Sequence, residues 1–443
     1  MAYNTKNIIR DASGAPIPQL FNPAADEYQP LEGTGGAHKT QLSGSTVPDA
    51  EALPTKIITS ANSRFAPQPI TEVKHRRSSP ASYPSPTWAN VNIYPTHIDN
   101  SVAYGISYLN AKRACSVADG FVAEPDLSPT FDDNVIHVWA TATKIMVSTW
   151  NGNWVTGIGR IWATDKANGV AGQFTEVLTL PDGVGAYPWN VDSYYDFLGA
   201  DAAYKRNYVL IAEYGKKTAP GNARRVHLSI NGGATFSVIF TGDEVNEYHT
   251  HAGAFDKYYD RIWVTNGDGP ENAAIHFSDD LGATWTKISG YQPTVIIPMP
   301  DYVLFGADEK PMGIFRWSRA REQFESYVGG SLNKAMDIPH IVRGNKGGDH
   351  NYGVSPVARD GDWVVYIPFL GVTSTDRRGF IVATGDGGET FHTILYKNVG
   401  ATGIGFLKGL AGITSSNNIV GAFSMVSGPG RLIKIPKLTW NSY

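Results

Sequence analysis

Histidines and carboxylates that could carry proton transfer or bind a metal lie in short segments of the second half of the chain. His249 and His251 are two residues apart, and Asp268 and His350 lie in similar segments. On an extended strand, residues i and i+2 face the same side, so the two imidazoles would be neighbours. Such a pair is a candidate for acid–base catalysis or for a divalent metal. The alternative is that the two imidazoles only hydrogen-bond to neighbouring blades. We predict no cofactor, although a divalent metal at these histidines is possible.

Aromatic and polar side chains suited to binding sugars form a second set of candidates. Residues 187–195 read Y-P-W-N-V-D-S-Y-Y, and a further histidine and arginine lie in residues 338–350. The predicted binding residues are Tyr187, Trp189, Asp192, His340 and Arg343. Tyr and Trp would stack on sugar faces, and the polar groups would hydrogen-bond to hydroxyls. Packing of these aromatic rings between sheets is the alternative interpretation.

Composition and motif searches exclude several other functions. The formal net charge is −4, which argues against nucleic-acid binding. Cys115 is the single cysteine, so neither an intrachain disulfide nor a cysteine-pair zinc site can form. Residues 344–352, G-N-K-G-G-D-H-N-Y, lack the order of a phosphate-binding loop, and no G-x-S-x-G nucleophile motif occurs. We find neither an apolar signal-peptide segment nor a membrane-spanning run, and expect no membrane insertion.

A repeated turn motif indicates which elements position these residues. The motif has Ser or Thr first, Asp or Asn third, Gly fifth and an aromatic residue eighth, in residues 229–236, 278–285 and 384–391. Asp or Asn side chains accept backbone hydrogen bonds in turns, and glycine tolerates a positive φ. The predicted structural residues are Ser229, Asn231, Gly233, Phe236, Ser278, Asp280, Gly282, Trp285, Thr384, Asp386, Gly388 and Phe391. Each motif therefore predicts a hairpin whose aromatic residue packs between neighbouring sheets.

Alternating apolar segments flank these turns and predict a repeating four-stranded unit. Over residues 135–440, a unit of roughly 50 residues gives an all-β propeller of about six four-stranded blades. Residues 88–134 fit no repeat, and either close the ring with a strand or cap it. We predict a small extended docking module at residues 1–52, a linker at 53–87 and the propeller at 88–443. Residues 11–33 are rich in proline and contain turn-forming glycine and asparagine, so they cannot form long helices.

The turn motifs resemble the Asp-boxes of sialidase-type, or BNR-repeat, propellers. In that family the boxes are structural turns away from the catalytic centre, so the resemblance implies a fold rather than an activity. Sialidases also carry an R-I-P motif and three arginines that bind the substrate carboxylate. The chain has no R-I-P, and Arg343, Arg261 and Arg206 do not form a credible triad. We therefore expect no sialidase activity.

The N-terminal residues resemble the start of tail-associated structural proteins of phages of Gram-positive bacteria. The pieces I-P-Q-L-F-N-P and Y-Q-P-L-E-G-T-G-G-A, within residues 17–37, carry this resemblance. It implies a virion protein, made in the host cytoplasm and multimeric in the assembly. Its N-terminal module would bind other tail proteins, and its propeller would recognise a host-surface glycan as a receptor-binding or adaptor protein. A glycosidase or lyase on the same propeller and a cellular BNR-repeat protein are the alternatives.

Overall fold

The computed structural model describes much of the 443-residue chain. The described residues are 19–22, 27–30, 41–42, 45–46, 77–82, 85–90, 92–187, 191–193, 207–215, 223–243, 247, 249–267, 272–289, 293–307, 313–324, 334–337, 351–353, 357–371, 378–398, 404–425 and 431–442. Two units separate by their contacts, Met1–Ser63 and Arg64–Tyr443. Among the described residues, no helix is both long enough and apolar enough to span a bilayer.

In the N-terminal unit the structure describes two short antiparallel pairs. Strand β1 (Gln19–Asn22) pairs with β2 (Glu27–Pro30), and Phe21 lies opposite Tyr28. Strand β3 (Gln41–Leu42) pairs with β4 (Ser45–Thr46). The first pair joins the two segments on which the resemblance to phage tail proteins depends. Docking by residues 1–52 stays a prediction.

The described part of the second unit forms seven sheets of four or more strands, which we call blades 1 to 7 in chain order. Blade 1 has β7 (Ile93–Asp99), β8 (Val102–Ser107), β9 (Ala114–Ala118) and β10 (Asp126–Leu127). Blade 2 has β11 (Val135–Ala140), β12 (Lys144–Thr149), β13 (Ile158–Asp165) and β14 (Thr175–Asp182), extended by β15 (Val184–Gly185) and β18 (Tyr214–Gly215). Blade 3 has β16 (Val191–Ser193), β17 (Val209–Ala212), β19 (Arg225–Ser229) and β20 (Ser237–Thr241). Blade 4 has β21 (Thr250–Asp256), β22 (Arg261–Asn266), β23 (Ala274–Ser278) and β24 (Thr286–Ser289).

The remaining blades include the closure of the ring. Blade 5 has β25 (Pro293–Pro298), β26 (Tyr302–Ala307), β27 (Gly313–Ser318), β28 (Gln323–Phe324) and β29 (Lys334–Asp337). Blade 6 has β30 (Asn351–Gly353), β31 (Ala358–Asp360), β32 (Val364–Gly371), β33 (Arg378–Thr384) and β34 (His392–Asn398). Blade 7 has β35 (Ile404–Ile413), β36 (Asn418–Met425) and β37 (Arg431–Pro436), and takes β6 (Thr87–Asn90) as its fourth strand. Beyond it, β38 (Trp440–Ser442) pairs with β5 (Arg77–Pro80).

Apolar side chains between successive blades make the described blades a closed ring. Seven buried clusters each combine side chains of two neighbouring blades. The cluster that closes the circle brings Ile93 and Cys115 of blade 1 against Ala411 and Leu432 of blade 7. First strands of neighbouring blades also contact one another, for example β21 with β25 and β35 with β7, as expected for the strands nearest the central axis of a propeller.

The all-β propeller prediction is confirmed, and the ring has seven blades where the repeats indicated about six. The additional blade comes from residues 93–127, and residues 87–90 supply the closing strand, so the segment that fitted no repeat contributes both. Blade 1 has a different turn between its third and fourth strands. There Asp119 accepts a hydrogen bond from the Ser415 hydroxyl of blade 7 at 2.9 Å, and Phe121 packs in the blade 1–7 cluster.

The three repeated turns share one hydrogen-bond pattern. In the second, the Ser278 hydroxyl donates to Asp280 at 2.8 Å and accepts the Gly282 N–H at 2.7 Å. The Asp280 carboxylate also accepts the Thr284 N–H at 2.8 Å. Equivalent bonds occur at Ser229 with Asn231 and at Thr384 with Asp386. The aromatic residues Phe236, Trp285 and Phe391 each lie against the cluster shared with the preceding blade.

Strand direction defines two ends of each blade. The first strand turns into the second, and the third into the fourth, at what we call the turn end. The second strand leads to the third at the opposite, or loop, end, where the first strand also begins. The repeated turns therefore lie at the turn end. Thr250, the first residue of β21, lies at the loop end.

Candidate functional site

His249 and His251 contact each other at the loop end of blade 4. Their Nε2 atoms are 2.7 Å apart, and their ring centroids are 4.7 Å apart. His249 is 5% exposed and His251 is 4% exposed. The structure therefore brings the two predicted imidazoles together, as the i, i+2 spacing implies.

The hydrogen bonds of His249 fix how this pair shares its protons. Its Nδ1 lies 2.8 Å from the carbonyl oxygen of Gly215, and a carbonyl only accepts, so Nδ1 carries the proton. Nε2 of neutral His249 is then an acceptor, and it receives the Nε2–H of His251. The pair is thus a directed hydrogen-bond chain from blade 4 to strand β18.

Four aromatic rings contact one another at the same end of the blades, and one of them, Tyr214, contacts the histidine pair. Trp150 contacts Trp154 at 4.6 Å and Tyr187 at 5.8 Å between ring centroids. Tyr214 closes the circle, 6.0 Å from Trp154 and 5.9 Å from Tyr187. Tyr214 is also 5.0 Å from His249. We call Trp150, Trp154, Tyr187 and Tyr214 the aromatic cluster. Within the cluster Trp150 is buried, whereas the other three rings are half-buried.

A tight loop after strand β12 presents Trp154. The side chain of Asn151 accepts the N–H of Asn153 at 2.9 Å, and that of Asn153 accepts the N–H of Val155 at 2.9 Å. Gly152 has a φ of 78°, which favours glycine. These local turns hold Trp154 beside Trp150, and Asn151 and Asn153 are exposed next to the half-buried rings.

Glu213 supports the strand that carries Tyr214 and Gly215. Its fully buried carboxylate accepts the Arg225 N–H at 3.1 Å, the Arg225 Nε–H at 3.0 Å and a bond with His227 Nε2 at 2.9 Å. Its carbonyl accepts the Thr250 N–H at 3.1 Å. Glu213 therefore connects the third strand of blade 3 to the residue between the two histidines.

Burial raises the pKa of the Tyr187 hydroxyl, and the neighbouring Tyr214 adds to the effect. A raised pKa keeps the phenol protonated throughout the physiological range. The Tyr187 hydroxyl is therefore neutral and acts as a hydrogen-bond donor.

Asp192, another predicted binding residue, links two inner strands. Its carboxylate accepts the N–H of Phe255 at 2.7 Å, which joins β16 to β21. Arg261 opens the second strand of blade 4, is 3% exposed, and pairs with Asp279 at 2.6 Å. Trp189, Asp268, His340, Arg343 and His350 lie outside the described residues. Among the residues that are described, no group of three or more His, Cys, Asp or Glu side chains could hold a metal.

The turn end holds a buried ion pair that the sequence did not reveal. Asp256 accepts two hydrogen bonds from Arg319 of blade 5, at 2.5 and 2.8 Å, and one from Trp263 at 2.9 Å. Tyr258 and Lys257 in the adjacent turn both reach Asp362 of blade 6, at 2.8 and 2.6 Å. All the charges named here have partners, so this network connects blades 4, 5 and 6 rather than forming an open site.

The sequence did not single out three of the site residues, Tyr214, Trp150 and Trp154. They follow second strands, whereas the predicted site residues lie in first strands and the loops next to them. The signal available was W-N-G-N-W in residues 150–154, in which Asn-Gly indicates a turn and would have placed two Trp residues side by side. The pairing of Tyr214 with Tyr187 depends on contact between blades 2 and 3, which no local pattern shows.

Comparisons with known proteins agree on the fold. No protein-family model matches the chain, and no curated protein sequence matches it. The structure of U3-55K superposes with a TM-score of 0.52 at 10% identity, covering 81% of this chain and 100% of that one. The RRP9 WD40 repeats give 0.51 at 11% identity, with coverages of 82% and 100%. Virginiamycin B lyase from Staphylococcus aureus gives 0.49 at 11% identity, with coverages of 80% and 99%. At such identities the first two likenesses show a β-propeller fold and nothing more specific.

Proposed function

We propose that the chain is a phage tail or virion structural protein whose propeller recognises a host-surface glycan through the aromatic cluster. The observation that carries this proposal is the meeting of Trp154, Tyr187 and Tyr214 at the loop end of blades 2 and 3. Each of these three rings is half-buried, so part of each remains accessible. Binding sites for small molecules combine such aromatic surfaces with a few polar groups, here supplied by Asn151 and Asn153.

The chemistry of the cluster fits a sugar better than an ionic ligand. Its accessible side chains are neutral aromatics and amides, and Tyr187 keeps its proton. Sugar rings offer apolar C–H faces for stacking and hydroxyls for hydrogen bonds to amide groups. The turn motifs lie at the opposite end of the blades, which agrees with a structural rather than a binding role for them.

Attachment to a tail rests on the N-terminal residues. The two segments that resemble tail proteins form the antiparallel pair of β1 and β2, in a unit that separates from the propeller-containing unit. A propeller with a separate N-terminal module suits a protein in which one unit attaches to the tail and the other binds the host. Deleting residues 1–52 should abolish incorporation into tails, and unchanged incorporation would contradict the docking role.

A binding screen tests glycan recognition directly. The purified full chain is expected to be retained by at least one envelope polysaccharide of a Gram-positive host, measured by cell-wall pull-down and on a glycan array. Failure to bind any envelope polymer would contradict the proposal. Retention by protein-stripped but not by glycan-stripped walls would identify the carbohydrate as the ligand.

A glycan-cleaving enzyme is the second candidate, and the 2.7 Å contact of His249 with His251 beside Tyr214 is the observation that favours it. Such a pair could exchange a proton with a substrate. Incubating the protein with the polysaccharide it binds, and assaying for released oligosaccharides, separates the two functions. Release that disappears in His249→Ala would favour the enzyme, and binding without release favours recognition alone.

A further inference from the structure

We propose that His249 and His251 form a binding site for a divalent transition-metal ion of the Zn²⁺, Ni²⁺ and Cu²⁺ class. This inference does not depend on glycan recognition, since it concerns the imidazole nitrogens alone. The proposal is based on the position of the two Nε2 atoms, which belong to buried side chains and lie next to each other.

The first argument is orientation. Metal-binding histidines usually donate their second ring N–H to a carbonyl or carboxylate, which fixes the tautomer and the direction of the ring. His249 makes this bond through Nδ1 to the Gly215 carbonyl at 2.8 Å. The bond leaves Nε2 deprotonated in the neutral ring and directs it towards His251. Gly215 therefore already occupies the position of an outer-shell partner.

The second argument is convergence. The Nε2 of His251 lies 2.7 Å from that of His249. Two nitrogens bound to one zinc ion at about 2.0–2.1 Å are roughly 3 Å apart or slightly more, so a small rotation of either ring admits the ion. His251 would change tautomer, moving its proton to Nδ1, so that both Nε2 atoms offer lone pairs. Imidazole nitrogen suits zinc, nickel and copper, whereas magnesium and calcium prefer oxygen.

The third argument is rigidity of the backbone between the two rings. The Thr250 N–H lies 3.1 Å from the Glu213 carbonyl and 2.9 Å from the Ala223 carbonyl. Thr250 is fully buried, and Glu213 is itself held by Arg225 and His227. The pair is thus set in place before any ion arrives, which lowers the entropic cost of binding.

The remaining coordination positions would be open. No third His, Cys, Asp or Glu joins the pair within the described part of the chain. Water, or an oxygen of an exogenous ligand, would complete the coordination. A site of this kind has moderate affinity and a clear preference for nitrogen-seeking ions.

Titration of the metal-free full-length protein with ZnCl₂, by calorimetry and by competition with a chromophoric chelator, tests the proposal. We expect one ion per chain, and a loss of affinity of about tenfold or more in both His249→Ala and His251→Ala. His392→Ala is the matched control, because this half-buried histidine lies on blade 6 and should leave the affinity unchanged. MgCl₂ should give no binding at the same concentrations.

A second measurement tests the proposal even if one of the alanine variants does not fold. Cu²⁺ bound to the wild-type protein should give an electron paramagnetic resonance spectrum with coupling to imidazole nitrogens. His251→Gln, which retains a polar side chain, should lose part of that coupling while its circular dichroism stays that of the wild type. Absence of one-to-one zinc binding, or binding that neither His249→Ala nor His251→Ala weakens, would overturn the proposal.

Discussion

Glu213 is the residue whose contacts explain most about how the candidate site is held. It carries a buried charge that satisfies Arg225 and His227, and the next two residues supply Tyr214 and the carbonyl that orients His249. Buried charges are tolerated only when they are paired and hydrogen-bonded. The carboxylate therefore serves both the packing of blade 3 and the placement of the site.

Glu213→Gln should lower the free energy of unfolding by about 1–3 kcal/mol, because it leaves buried donors without a charged acceptor. Asp165→Asn is the matched control, since Asp165 pairs with Lys144 at 2.7 Å with a side chain 65% exposed. Exposed pairs contribute roughly 0–1 kcal/mol. Urea denaturation of both variants measures the difference, and equal effects would contradict the role assigned to Glu213.

His97, on the inner strand of blade 1, should make stability depend on pH. Burial lowers its pKa to about 4, with Asp99 opposing this effect and Lys166 adding to it. Since the unfolded chain binds the proton more tightly, stability is full above pH 6.5 and is lost as the pH falls towards 4. Between pH 7.5 and 5 the loss from this group is roughly 2 kcal/mol.

Replacing His97 with Asn removes that contribution. The free energy of unfolding of His97→Asn should fall less between pH 7.5 and 5 than that of the wild-type protein, as measured by urea denaturation at each pH. A pH dependence identical in the two proteins would show that His97 is not buried in its neutral form.

Part of the site could be predicted from residue types and spacing, and part could not. The contact of His249 with His251 follows from i, i+2 spacing on a strand, and Tyr187 was singled out by its aromatic and polar neighbours. Tyr214 and Gly215 could not be identified, because they reach the site through the pairing of β18 with β15, which extends the sheet of blade 2. The carboxylate of Asp192 joins two inner strands, and its role in binding a ligand stays a prediction.

At the scale of elements, the repeated turns show why glycine is required at their fifth position. Gly282 has a φ of 90°, and a Cβ there would lie 2.7 Å from the Cβ of Ile239 and 3.0 Å from its carbonyl oxygen. The turn thus presses against the preceding blade. A Cβ at Gly233 would lie 2.5 Å from Met146, and one at Gly388 would lie 2.7 Å from Leu304. Both conformation and contact between blades therefore exclude a side chain.

Gly282→Ala should consequently lower the free energy of unfolding more than an alanine substitution at a glycine that has a positive φ but no close neighbours. Gly152, with a φ of 78° and no atom within 4 Å of the added Cβ, supplies that control. We expect about 1 kcal/mol for Gly152→Ala and about 3 kcal/mol for Gly282→Ala, because the second adds overpacking to backbone strain. Equal losses in thermal or urea unfolding would contradict the proposed contact between blades.

The distribution of the repeated turn motif explains why the sequence indicated about six blades. Blades 3, 4 and 6 carry the turn motif, which made their repeat visible. In blade 1, Asp119 binds Ser415 of another blade instead of its own turn, and Phe121 fills the interblade position. An acidic residue and an aromatic residue are still present in this turn, but their spacing differs from that of the motif. The motif therefore does not reveal blade 1 in the sequence.

At the scale of the whole molecule, residues 77–90 pair with the C-terminal strands of the same unit. Strand β6 covers β37, and β5 pairs with β38, so residues 77–90 protect edges that would otherwise be open. Removing residues 1–63 should leave the melting temperature unchanged. Removing residues 1–91 should lower it by on the order of 10 °C and promote aggregation, as measured by calorimetry and light scattering. Equal melting temperatures would contradict closure by these strands.

Glycan recognition by the aromatic cluster is the central claim, and affinity measurements on cluster variants test it most directly. Once the screen has identified an envelope polysaccharide, calorimetry should show that Trp154→Ala and Tyr187→Ala each weaken its binding roughly tenfold, or by about 1.4 kcal/mol. Tyr108→Ala is the matched control, since Tyr108 follows β8 at the same end of blade 1 and is 37% exposed. The account predicts unchanged affinity for that control. Affinity that survives both cluster substitutions, or falls equally in Tyr108→Ala, would contradict it.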